Sequence, residues 1–212
     1  MKQILVAVAL VMVGLVPGIS QAAPIFSDDF NNETRTLNHV FADKWAVSNG
    51  TVDLVGTGFF FNPSPANGGY VDLDGSALDA GIMASVPVLN LGIGSYALTF
   101  DLAGSQRNDV NVNTLTFGID LDNNGILNAG DITAPTITLG NFSPFGLQTF
   151  NFSLASAATA RIVFGQNGGD NRGLLLDNVA LNSRAVPEPA SLMLLGAGLA
   201  AIGIWRRKAT KV

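Results

Sequence analysis

The sequence predicts an all-β protein, an antiparallel β-sandwich of jelly-roll type. Three observations lead there. Apolar residues recur at every second position in run after run between residues 45 and 181, Gly- and Asn-rich turns separate the runs, and no 3.6-residue period appears in that stretch. Tyr96, Leu98, Phe100 and Leu102 are the clearest case, and Leu115, Phe117, Ile119 and Leu121 repeat it. Phe150, Phe152 and Leu154 follow, then Ile162 and Phe164, and about nine short strands are expected in all.

Taken in order, Ile25, Phe26 and Phe30 around Asp28 and Asp29 read as a first strand and turn. Residues 33–44 have no period and hold the single histidine, His39; with no Ser or Cys nucleophile motif beside it, a loop or half-buried histidine is expected. Asn49-Gly50, between Trp45-Ala-Val-Ser and Thr-Val-Asp-Leu-Val55, is a hairpin signal. Phe59, Phe60 and Phe61 interrupt a loop from Gly56 to Gly69. Successive strand side chains alternate, so at least one of the three faces outward or caps the sandwich, as packing or as a surface on which a ligand stacks. Tyr70 to Ser76 reads as a strand entering an Asp-Gly turn, Ile82 to Leu91 as an alternating run, and Leu175, Asp177, Val179 and Leu181 as one face of the last strand.

Both ends differ from this grammar. Met1-Lys2-Gln3, an apolar run from Ile4 to Val16 and Ser20-Gln21-Ala22 form a secretory signal peptide over residues 1–22, of the kind handled by Sec machinery. At the other end Pro187 and Pro189 bar a helix before Ala190. Residues 190–205 are uncharged and apolar up to Trp205, and Arg206-Arg207-Lys208 follows, the pattern of a short transmembrane helix with a cytoplasmic basic end. The chain is thus expected to comprise a signal helix (1–22), an ectodomain (23–185) and a C-terminal segment (186–212).

Five of the 11 basic residues but only one of the 16 acidic ones, Glu188, lie in the tails, which leaves the ectodomain a net charge near −9. That balance argues against nucleic acid as a partner, since phosphate binding needs clustered Lys and Arg. There is no cysteine, which excludes disulfides and thiolate chemistry. No His cluster, nucleotide-cradling glycine motif or Gly-x-Ser-x-Gly occurs.

Pro187-Glu188-Pro189, the apolar helix and the Arg206-Arg207-Lys208 cluster stand in an order that resembles the PEP-CTERM sorting signal of Gram-negative bacteria that make exopolysaccharide. The resemblance implies an inner-membrane intermediate, cleavage near Pro-Glu-Pro by a membrane-embedded exosortase, and attachment at the cell surface or release. Trp45 to Val55, Val71-Asp-Leu-Asp-Gly-Ser76, Tyr96 to Arg107 and Leu175-Leu-Asp-Asn-Val179 likewise resemble secreted galactose-binding-like jelly rolls. That family opens on Gly-x-Phe-Glu where this chain has Asp28-Asp29-Phe30; its cation between first and last strands would fall to Asp29 and Asp177 as a second candidate metal site.

One stretch carries a sharper chemical pattern. Asp120, Asp122, Asn124, Asn128 and Asp131 fall at positions 1, 3, 5, 9 and 12 of an EF-hand-type loop, Gly125 at 6 and the Ile126 carbonyl at 7, which makes Ca²⁺ the expected cofactor. The loop also resembles dockerin calcium loops, with Asp in place of the closing Glu and strands as flanks. The function expected is that of an exported, non-enzymatic surface or matrix protein associated with exopolysaccharide or other carbohydrate. A structural or adhesive matrix protein without a ligand, and a carbohydrate-active enzyme using Asp residues, are the alternatives.

Overall fold

The computed structural model describes residues 23–60, 68–107 and 112–184, with Gly196 and Gly198 alone beyond them. The expected signal peptide, Phe61 and the C-terminal segment lie outside these residues, apart from those two glycines, which are both helical. No helix among the described residues is long and apolar enough to cross a membrane.

Thirteen strands are described, more than the nine the alternation suggests, because several are too short to show a period. They are β1 (Phe26–Asp28), β2 (Trp45–Ser48), β3 (Asp53–Gly56), β4 (Gly69–Asp72), β5 (Ile82–Ser85), β6 (Leu89–Leu91), β7 (Gly94–Ala103), β8 (Val112–Asp120), β9 (Ile132–Thr133), β10 (Ile137–Gly140), β11 (Gly146–Leu154), β12 (Ala158–Gln166) and β13 (Leu175–Arg184). One sheet runs β11-β7-β13-β4-β3 with β1 also on β13; the other runs β10-β8-β12-β5-β2 with β6 on β12 and β9 on β8. Every paired strand is antiparallel.

The four long alternating runs of the sequence are β7, β8, β11 and β12, and their apolar faces meet between the sheets. Phe100 of β7 sets its ring edge-on to Phe117 of β8 and Phe164 of β12, at centroid distances of 5.0 and 5.1 Å. Leu98, Leu102, Leu115, Ile119 and Ile162 are fully buried around them. Burial of such a side chain contributes about 1.5–3 kcal/mol each, so this seam holds the sandwich together. Both sheets and their core lie within residues 26–184, so segment 23–184 holds every described strand.

Two local expectations are corrected. Asn49-Gly50 does not join a hairpin: β2 belongs to one sheet and β3 to the other, so the dipeptide turns a corner between layers. Its φ values of 53° and 141° suit Asn and Gly, and a Cβ on Gly50 would lie 2.4 Å from the Ala80 carbonyl oxygen. Leu175, Asp177, Val179 and Leu181 do not share a face either. The β13 register shifts between Asp177 and Ala180, with Asn178 at φ 50°, and this bulge inserts a residue. Val179 and Leu181 therefore join Leu176 in the main core, whereas Leu175 packs outside it with Val55, Tyr70 and Ala103.

Candidate functional site

The expected metal loop spans the β8–β9 connection. β9 returns antiparallel onto β8, pairing Ile132 with Ile119 and Thr133 with Gly118, which brings the two ends of the loop together. Gly118 permits that approach, since a Cβ there would stand 2.3 Å from the Ile132 carbonyl oxygen. Asp120, Asp122 and Asp131 converge so that one carboxylate oxygen from each lies within 4.8 Å of the others, a cluster that could hold a metal ion.

The loop is organised by its own carboxylates. Buried Asp120 accepts the Asn123 and Gly125 amides, both at 2.7 Å, and Gly125 turns at φ 86° as position six requires. Asp131 accepts the Leu121 and Asn128 amides, both at 2.8 Å. Exposed Asp122 takes the side-chain amides of Asn124 and Asn128 at 2.9 and 3.0 Å, and the Asn128 bond chiefly holds its carboxyl below the usual value. Asn124 accepts the Ile126 amide at 2.9 Å, so all six expected ligand residues belong to one closed turn. The donor set fits a hard cation, being oxygen throughout; Asn124 and Asn128 would present their amide oxygens in place of the nitrogens they now turn to Asp122.

The second candidate pair is not drawn into any such cluster among the described residues. Asp29 accepts the Asn31 amide, and its carboxyl is held low chiefly by the Asn31 side chain. Asp177 is buried, opposite Asp101 in the β13–β7 register. Of the three aromatics, Phe59 packs against the outer cluster of Val55, Tyr70 and Leu175, and Phe60, 82% exposed, rests against it at a centroid distance of 4.5 Å.

Sequence reasoning missed two features. The first is a set of buried carboxylates that pin loops to one end of the sandwich. Asp72 accepts the Gly173 and Asp74 amides at 2.8 and 3.1 Å and pairs with the Arg107 guanidinium; burial nevertheless pushes its carboxyl up to about 7. Asp53 accepts the Asn38 amide and the Ser76 amide and hydroxyl at 2.7–3.0 Å, and Asp74 accepts the Gly169 amide at 2.9 Å. A period-two Asp72/Asp74 in an apolar run was the available signal. The second is a cavity of about 220 Å³ walled by β1, β3 and the connector from β1 to β2, lined by Asp28, Phe30, Asn32, Glu33, Phe41, Ala42, Asp43, Lys44 and Leu54. No motif marks it, because most of its lining comes from the irregular connector 29–44, most of which has no period.

The described sandwich ends at Arg184, the end of β13, and a recognisable motif follows it. Residues 185–208 carry a PEP-CTERM protein-sorting motif. The PEP-CTERM motif implies export, exosortase processing at the membrane and surface display. Pro187, Glu188, Pro189, Arg206, Arg207 and Lys208 all fall inside the matched segment, outside the described residues. No curated protein matches the chain.

Among solved structures the chain is similar to the K1 cleaved adhesin domain of Lys-gingipain from Porphyromonas gingivalis W83, with 12% identity, a TM-score of 0.52, and coverage of 76% of this chain and 98% of that one. It is also similar to the CBM22-1 xylan-binding domain of Paenibacillus barcinonensis Xyn10C (10% identity, TM-score 0.46, covering 78% and 98%). A third likeness is to a CBM6 carbohydrate-binding module of Cellvibrio mixtus lichenase 5A (14%, 0.39, 77% and 100%). The likeness to the adhesin domain agrees with the all-β sandwich fold described above.

Proposed function

We propose that this protein is a non-enzymatic component of the surface or extracellular matrix of a Gram-negative bacterium, exported through the Sec machinery and associated with extracellular polysaccharide. The observation that carries this reading is the sorting motif that begins directly where β13 ends, so that the whole sandwich lies on the exported side of the membrane segment. In this reading the apolar segment 190–205 holds an inner-membrane intermediate with Arg206-Arg207-Lys208 in the cytoplasm, and cleavage near Pro187-Glu188-Pro189 frees the sandwich. Ca²⁺ in the 120–131 loop stiffens the β8–β9 hairpin, and Asp29 with Asp177 stands as the reserve site. Phe60, exposed and backed by Phe59, offers a face on which a sugar ring stacks, with Phe61 next to it in sequence.

Two measurements test this. Mass spectrometry of the extracellular protein from its host is expected to find no peptide beyond about Ala190; an intact C-terminus in that material would make the tail a permanent anchor. A glycan array probed with segment 23–184, with and without calcium, is expected to show polysaccharide binding. Phe60→Ala is expected to weaken that binding about fivefold to tenfold without changing the melting temperature, since the ring is exposed and its stacking is worth about 1 kcal/mol. Binding to no glycan would favour a structural matrix role, and release of sugar products would favour an enzyme.

A further inference from the structure

The cavity beside β1 and the β1–β2 connector lies apart from both the 120–131 loop and the Phe59–Phe60 surface in its lining residues, and its chemistry is graded from floor to rim. Phe30, Phe41 and Leu54 are buried, and the rings of Phe30 and Phe41 lie 6.1 Å apart. Asn32, Ala42 and Asp43 are exposed, with Glu33 and Lys44 half-buried between rim and floor. The volume of about 220 Å³ equals the share of about seven liquid waters and falls below the range of drug-sized pockets, which is room for one pyranose ring.

The polar walls are already fixed in place. The Glu33 carboxylate accepts from His39 Nε2 at 2.8 Å and from the Ala42 amide at 3.2 Å, while the other His39 nitrogen is bonded to the Thr36 hydroxyl at 2.8 Å. The same stretch is braced from outside by Arg35, which donates to the carbonyls of Glu33 and Asn31. Lys44 donates to the Ser27 carbonyl and to Asp28, using two of its three N–H groups. Asp43, on the rim, takes no hydrogen bond from any described residue.

We infer that this cavity is a binding site for a single neutral pyranose, an inference that rests on the carbohydrate association proposed above. A pyranose presents an apolar C–H face suited to Phe30 and Phe41 and hydroxyls that donate to Glu33 and Asp43. Lys44 and the Asn32 amide supply donors for the remaining sugar oxygens. Three carboxylates, Asp28, Glu33 and Asp43, face one ammonium, so the lining is net negative and repels uronates and sulfated sugars. The preformed clamp on Glu33 lowers the cost of ordering the site when the ring enters.

Trp45 supplies a reporter. Its indole N–H donates to Asp28 in the cavity wall at 2.8 Å, and the other tryptophan of the chain, Trp205, lies outside segment 23–184. Titration of that segment with methyl glycosides of glucose, galactose and mannose is expected to shift the single indole N–H resonance with a millimolar Kd for at least one of them. Asp43→Asn, at an exposed position, is expected to weaken that Kd at least tenfold, the size of one charge-assisted hydrogen bond, with an unchanged melting temperature. Glu33→Gln is the second variant and is expected to act in the same direction. An unmoved indole resonance with all three glycosides overturns the inference, as does equal or tighter binding of methyl glucuronide. Release of methanol from a glycoside would make the cavity an active site and equally overturn it. Loss of binding in Phe60→Ala but not in Asp43→Asn would leave the polysaccharide reading standing and remove only the cavity.

Discussion

Ten millimolar calcium is expected to raise the melting temperature of segment 23–184 by about 3–6 °C, and Asp122→Ala to abolish the rise. Extracellular modules bind Ca²⁺ with Kd of about 10⁻⁴–10⁻³ M, and at the weaker end a tenfold excess stabilises the folded state by RT ln 11, about 1.4 kcal/mol. A domain of this size gains about 2–4 °C per kcal/mol. Asp122 is the informative position because its carboxylate is exposed, so its loss is expected to leave the fold intact. Asp120→Ala removes a buried acceptor from the Asn123 and Gly125 amides and lowers stability even without metal, by about 1–3 kcal/mol for each buried group left unpaired. Magnesium is expected to act more weakly, since it demands near-octahedral geometry and gives up water reluctantly. Differential scanning fluorimetry reads all of these. An equal calcium response in wild type and Asp122→Ala would move the cation to another site, and no response in either would leave residues 120–131 an ordinary turn.

Stability is expected to fall as pH rises from 4 to 7, and Asp72 is the cause. Its carboxyl has a folded-state pKa raised by burial from 3.8 to about 7, against the pull of Arg107 and with the added push of Asp53. In that window the folded chain holds a proton at Asp72 that the unfolded chain has lost, so each added unit of pH favours unfolding. The stabilisation is fully present below about pH 4 and is gone above about pH 7, a change of up to about 4 kcal/mol. Asp122 and Asp29 act with the opposite sign and in a separate window: their carboxyls are held low, so what they contribute persists above pH 3.8 and is lost only on further acidification. Urea unfolding at pH 5, 6 and 7 measures the slope. Asp72→Asn, which keeps an oxygen for the Gly173 and Asp74 amides, is expected to flatten it. An undiminished slope in that variant would assign the titration to a different group.

The long strands were legible because each has one face in the core and one toward solvent, so that Tyr96 to Leu102 and Leu115 to Ile119 print their burial as alternation. β3 and β4, buried on both faces, carry no such print. The cluster of Asp120, Asp122 and Asp131 was equally plain, since its residues follow one another along a single turn and spacing alone orders them. The bulge at Asn178 was not, because a single inserted residue leaves the composition of β13 unchanged while moving Leu175 and Val179 to opposite faces. The corner at Asn49-Gly50 failed for a related reason: a dipeptide states the backbone angles it favours but not which strands it connects. The cavity has walls from β1, β3 and the connector from β1 to β2, and its parts meet only where Phe30 packs against both Phe41 and Trp45.

The last strand of the sandwich is the middle strand of its sheet. β13 carries β7 along one side and β1 and β4 end to end along the other, so Phe26 waits for Leu181 and Val71 for Leu176. A chain threaded outward from its N-terminus exposes β1, β3, β4 and β7 long before the strand that unites them emerges. Their free edges must be shielded for that whole interval, because unpaired strands of high contact order close slowly and invite association. The sorting motif starts at residue 185, so it follows the strand that closes the sheet with no linker between them. A ribosome or translocon halted ten residues early would release not a domain with a frayed end but one with a sheet split down its centre.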